Sequence, residues 1–143
     1  HVVESHEYGT RVAEFPTTRE AAEASHRAGM AVMMGAPNIV RGGSHSGNIA
    51  AAELARQGVL DILSSDYYPA SMLDAAFRVA TMKDNDYNLP RAIATVTATP
   101  ARCANLDDRG SIEPGKRADL VLVSVKDELP VIDSVWSKGQ RVY

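Results

Sequence analysis

Three short apolar runs, each followed closely by a helix-forming stretch, constrain this chain more than any other feature. Residues 11–15, 30–35 and 59–63 have strand length, and the second shows almost no polar alternation. Such runs are typical of strands buried in parallel sheets. Pro16 closes the first run, and Thr17 or Thr18 can cap a helix over about 19–28, with Gly29 as its stop. Residues 36–47 read as a loop. Asn48 can then cap a second helix to Gln57, which Gly58 ends. The β-α-β-α-β order predicts a parallel sheet, either an open doubly wound one or an arc of a (β/α)8 barrel. Pattern alone does not choose between them. Further helices are expected over 2–8, from Pro69 to about Met82, and over 89–98.

From Gly110 the pattern changes. Residues 111–116 make a Pro-Gly turn, and 118–125 read as a strand. Two more strands, 131–136 and 140–143, bracket Ser137-Lys138-Gly139, a hairpin connection. This tail is expected to be a separate β element.

Composition narrows the partners. The 143 residues are 45% hydrophobic with a formal net charge of −3, which fits one globular unit with a real core. The mildly acidic balance gives no general reason to bind nucleic acid or a membrane surface, so any anion site must be local. No apolar run approaches the roughly 20 residues that span a bilayer. Cys103 is the one cysteine, which excludes an internal disulfide and suits a reducing cytoplasm. The first residue, His1, is not a methionine, and no signal-peptide pattern follows; the start reads as a cut within a longer polypeptide.

Parallel α/β folds bind their ligands at the carboxyl ends of the strands. Asp66, in Ser64-Ser65-Asp66-Tyr67-Tyr68-Pro69, directly follows the third apolar run. A carboxylate there can ligate a divalent cation or carry a proton from water to a leaving group. The plain alternative, equally weighted, is that it caps the next helix. Beyond the second run, residues 35–48 contain Asn38 and the stretch Arg41-Gly42-Gly43-Ser44-His45-Ser46-Gly47-Asn48. Backbone N–H groups, a helix N-terminus and a planar guanidinium together suit a phosphate, and this reading is favoured over a mobile surface loop. No Gly-Lys-Ser/Thr closes the stretch, so it is not a Walker loop. Glu14, at the first strand end, either contacts a metal or substrate or pairs with a neighbour, and pairing is the stronger reading. His1, His6 and His26 read as surface histidines, Cys103 as structural, and Trp136 as packing.

Thr99-Pro100-Ala101-Arg102 and the run from Asp108 through Gly110-Ser111-Ile112-Glu113-Pro114-Gly115-Lys116-Arg117-Ala118-Asp119 to Val123 closely resemble the closing segment of the amidohydrolase superfamily. Glu14-Phe15-Pro16-Thr17-Thr18, Gly35-Ala36-Pro37-Asn38, the 41–48 stretch and 64–69 resemble its ribose-triphosphate diphosphatase branch, which serves phosphonate use. The resemblance implies an α/β chain: strands six to eight of a (β/α)8 barrel over residues 1–108, then strands of a small β-sandwich over 109–143. It implies a cytoplasmic metal-dependent hydrolase that attacks a ribose 5-triphosphate phosphonate with activated water and releases diphosphate. Asp66 would be metal ligand and proton shuttle, and Glu14 stands where many members carry a histidine ligand. Asn38, Arg41, Gly43, Ser44, His45, Ser46 and Asn48 would bind the phosphorylated substrate. The cofactor implied is a divalent metal, zinc, with most ligands upstream, and the full-length parent is expected to be a homo-oligomer that binds neither nucleic acid nor membrane. Two other readings stand beside this one: a piece of another amidohydrolase, such as a cyclic amidase or deaminase, and a non-catalytic module that binds a phosphorylated ligand. Three barrel strands leave raw sheet edges, so the isolated polypeptide is expected to be unstable or to associate.

Overall fold

In a computed structural model of the chain, residues 2–43 and 47–143 are described. Helix α1 (Val2–Glu7) leads into strand β1 (Val12–Glu14). Helix α2 (Arg19–Arg27) follows, and of the two candidate caps Thr18 is the one used: its side chain accepts the Ala21 N–H at 3.2 Å. Strand β2 (Ala31–Gly35), short helices α3 (Ala36–Arg41) and α4 (Ala51–Arg56), and strand β3 (Ile62–Ser64) complete the first half. The strands pair in parallel in the order β1-β2-β3, each return passing through helix. The expected α/β sheet is present, with both crossovers helical.

The register determines which side chains share a face. Val12 pairs with Ala31, Glu14 with Met33, Met33 with Ile62, and Gly35 with Ser64. Neighbours in register point the same way, and successive residues alternate. Glu14, Met33, Gly35, Ile62 and Ser64 therefore stand on one face. Val32, Met34 and Leu63 stand on the other, where they join Ala22 of α2, Leu54 of α4 and Val79 of helix α5 (Ser71–Thr81) in the core. Leu54 and Leu63 are essentially fully buried, each worth about 1.5–3 kcal/mol relative to exposure. The helices thus pack on one face and leave the Glu14 face for other work.

Two sequence expectations change here. Residues 36–41 were read as loop and are helix α3. Pro37 fits its first turn, where a missing N–H costs nothing, and Gly42 closes it at φ 82°. The single helix expected over 89–98 is two, α6 (Leu89–Ala94) and α7 (Ala98–Cys103). Pro100 is the reason: in a continuous helix its ring would strike the Val96 carbonyl and supply no bond to it. The bend falls at Thr97, whose φ and ψ are −133° and −88°.

The tail is the antiparallel sheet β4 (Leu120–Lys126), β5 (Leu129–Ser137) and β6 (Gln140–Arg141). Its turns are two residues long, and Asp127, Glu128, Lys138 and Gly139 all have positive φ, the type I′ geometry that matches strand twist. Val121, Leu122, Val125 and Leu129 remain more than half exposed. Among the described residues, no helix is long and apolar enough to cross a membrane.

Candidate active site

All three strand ends carry polar or backbone-bending residues, and β3 contributes the one nearest a neighbour. After Ser64 and Ser65 the chain turns left-handed at Asp66 (φ 48°), a conformation aspartate tolerates better than most residues. The turn folds the carboxylate back over the end of β2. A Cβ built on Gly35 would lie 2.7 Å from Asp66 Oδ2 and 3.3 Å from Asp66 Cβ. Asp66 does not cap the following helix: α5 begins after Ala70 without a side-chain cap bond, and Ser71 Oγ donates instead to the Tyr68 carbonyl at 2.6 Å. The capping alternative therefore fails. The side chain is exposed to solvent at the strand end.

Asn38 of α3 has a structural duty. Its Oδ1 accepts the Ala51 N–H at 2.9 Å, capping α4 from thirteen residues away. Asn48, expected as the cap, does not fill that role: α4 starts three residues later, with Ala50 at the N-cap. The first N–H of α4 is thus already satisfied, which removes it from any anion site. Arg41, at the end of α3, lies with its guanidinium carbon 5.2 Å from the Tyr67 ring centre, a cation–π contact that links the second and third strand ends. A cleft of about 290 Å³ opens between these segments, lined by Asp66, Asn38, Gly43 and Asn48 together with Phe15 and Tyr67. Three candidate residues of the 38–48 segment meet Asp66 there. Ser44, His45 and Ser46 lie outside the described residues. Glu14 is exposed on the Met33 face below the cleft and does not line it.

A second cleft, about 400 Å³, lies at the opposite end, among Arg11, His26, Asp61, Arg102 and Cys103. Two of its ionisable groups pair with each other, and Arg11 donates to Asn105. Asp61 Oδ2 takes both His26 Nδ1 at 3.0 Å and the Val32 N–H at 2.9 Å, pinning α2 to the start of β3. His26, read from sequence as a plain surface residue, is half of that pair. The larger hollow is at the amino ends of the strands, where parallel folds place stabilising contacts and not chemistry.

Amidohydrolases generally use divalent metals. No cluster of three or more His, Cys, Asp or Glu side chains able to hold one occurs among the described residues. Glu14 and Asp66 are oxygen donors suited to a divalent cation, and they can furnish part of a ligand set, not all of it.

Comparison with known proteins identifies the family. A family model described as the amidohydrolase family matches residues 1–143. The chain is 65% identical, over its full length, to alpha-D-ribose 1-methylphosphonate 5-triphosphate diphosphatase of Escherichia coli K12, and covers 38% of that protein. It is 33% identical over 103 residues to imidazolonepropionase of Streptomyces griseus, covering 64% of this chain and 26% of the relative. A 56-residue stretch is 39% identical to adenine deaminase of Clostridium perfringens, 39% of this chain and 10% of that one. Among solved structures, an amidohydrolase from Thermotoga maritima MSB8 superposes with a TM-score of 0.57 at 18% identity, over 92% of this chain and 43% of the other, and so supports the fold alone. With a family match that runs from the first residue to the last, the chain belongs to the amidohydrolase family.

Proposed function

We propose that this chain forms part of a hydrolase that cleaves a ribose 5-triphosphate phosphonate and releases diphosphate. The observation that carries the reading is Asp66, an uncapped carboxylate at a parallel-strand end, facing a cleft built from the 36–49 segment. The 65% identity to a diphosphatase of that substrate supports it. In this reading β1, β2 and β3 are strands six to eight of a (β/α)8 barrel occupying residues 1–108. Residues 109–143 are a segment of a small β-sandwich, whose remaining strands would cover the exposed Val121, Leu122 and Val125. The chain spans little more than a third of its diphosphatase relative, and the other barrel strands would come from the matching remainder of a full-length protein.

Asp66, with Glu14 on the same sheet face, would hold a divalent cation, zinc in our reading, beside ligands from the other strands. What the cation supplies when bound is a water acidified towards neutral pH. Asp66 would take a proton from the attacking water and return it to the departing diphosphate oxygen. Attack at the phosphorus nearest the ribose leaves a ribose monophosphate ester and frees diphosphate, so one P–O bond forms as another breaks. Arg41 meets the polyanion with a planar charge, and Gly43 and Asn48 supply neutral donors; Ser44, His45 and Ser46 are assigned to the same phosphate-binding role. Asn38 contributes its Nδ2 only, since its oxygen is committed to α4.

The similarity to imidazolonepropionase and adenine deaminase keeps a second reading open, hydrolysis or deamination of a cyclic amide or amidine. Phosphorus NMR separates the two. The full-length protein, given alpha-D-ribose 1-methylphosphonate 5-triphosphate and a divalent metal, is expected to convert the three triphosphate resonances into diphosphate and one monophosphate ester. An unchanged triphosphate, with turnover of a cyclic amide instead, would favour the second reading.

A further inference from the structure

We infer that Gly35 is a positioning residue for Asp66, kept free of a side chain so that the catalytic carboxylate can rest across the end of β2; this rests on the role proposed above for Asp66. Gly35 does not need to be glycine for its own backbone. Its φ and ψ are −71° and 130°, extended values that any residue adopts. Ordinary considerations even favour alanine there, because glycine loses more chain entropy on folding. What opposes a side chain is Asp66: all three atoms nearest the built Cβ belong to it, at 2.7, 3.3 and 3.4 Å.

The register explains the encounter. Gly35 pairs with Ser64, so its missing side chain would point to the Ser64 face, away from the Met34 core. The left-handed turn at Asp66 returns the carboxylate over that same face. A methyl group at residue 35 must push Oδ2 outward by roughly 0.7 Å to reach van der Waals distance. Asp66 is exposed and ends no helix, so it can swing away with little loss of fold. The damage falls on catalytic geometry, where misplacement of about 1 Å costs up to about 100-fold.

The test uses the full-length protein with the ribose triphosphate as substrate. Gly35→Ala is expected to lower kcat by about 10- to 100-fold with KM within about twofold and Tm nearly unchanged. Wild-type kcat in Gly35→Ala, while Asp66→Asn is inactive, would overturn the inference and leave the role of Asp66 standing. Full activity in Asp66→Asn would remove that role, and the inference with it. Should Gly35→Ala fail to fold, Gly35→Ala combined with Asp66→Gly should fold like the wild type, because the obstructing side chain is gone. A double variant that also fails to fold would show that something other than Asp66 excludes the methyl, and would overturn the inference.

Discussion

Replacing Asn38 by alanine separates its structural duty from any contact with substrate. The Asn38 Oδ1 accepts the Ala51 N–H at 2.9 Å, and Ala51 is completely buried. Helix α4 has only six residues, and its N-cap, Ala50, provides no side-chain acceptor. Losing a cap costs about 0.5–2 kcal/mol, and a buried donor left unpaired about 1–3 kcal/mol. We expect about 1–2 kcal/mol for Asn38→Ala, since water can reach the cleft side and recover part of the bond. For a domain of this size that is a fall in Tm of about 3–6 °C, and somewhat less in a longer protein. Asn38→Asp keeps the acceptor and places a negative charge at a helix N-terminus, so its Tm should equal or exceed the wild type. Differential scanning calorimetry on the three proteins reads both effects. Equal Tm values for wild type and Asn38→Ala would refute the cap. If Asn38→Asp is stable yet loses affinity for the triphosphate, the Nδ2 group, or the neutrality of residue 38, serves the substrate.

Three further outcomes follow from particular contacts. Leu54 is fully buried between α4 and the sheet, so Leu54→Ala should cost about 2–5 kcal/mol, visible as a lowered denaturant midpoint with an unchanged slope. Asp119 accepts the Lys138 N–H at 2.8 Å, and that bond, with Arg117 beside it, holds its carboxyl below the usual range. A carboxyl lowered in the folded state contributes stability above its unfolded pKa, near 4, and loses it as pH falls through the folded value. Acid titration of stability should therefore be shallower below about pH 4 in Asp119→Asn than in the wild type. Expressed alone, the 143 residues leave β1 as an open sheet edge, whereas the outer Leu63 N–H of β3 is taken by the Thr95 carbonyl at 3.1 Å, and light scattering is expected to show association or unfolding, not a monodisperse monomer.

The strands were legible in the sequence because burial in a parallel sheet demands apolar runs. Residues 30–35 contain the observed β2 and residues 59–63 overlap β3; both strands start later than expected, and β3 runs on through Ser64. Asp66 stands out for the same reason: a carboxylate straight after such a run is conspicuous. Local signals misled where the deciding contact was distant. Asn48 has the right residue type for a cap, but Asn38, thirteen residues earlier, does the capping, and nothing in the 48–57 stretch reveals that. Helix α3 was hidden by Pro37 and the glycines after Arg41, which read as loop although proline suits a first turn and glycine a helix end. The closeness of Gly35 and Asp66 depends on the pairing of β2 with β3 and on one left-handed residue, neither of which is written in local pattern. His26 and Asp61, 35 residues apart, met unannounced for the same reason.

The most direct test of the proposed chemistry is diphosphate release by the full-length protein carrying Asp66→Asn, measured beside its affinity for the triphosphate. The substitution keeps the size of the side chain and removes its charge and its capacity to take a proton. Turnover should fall by at least about 100-fold, with triphosphate binding within a fewfold of the wild type, because the substitution leaves Arg41, Gly43 and Asn48 unchanged. Diphosphate release at the wild-type rate would contradict the role of Asp66 and return the cleft to a binding function.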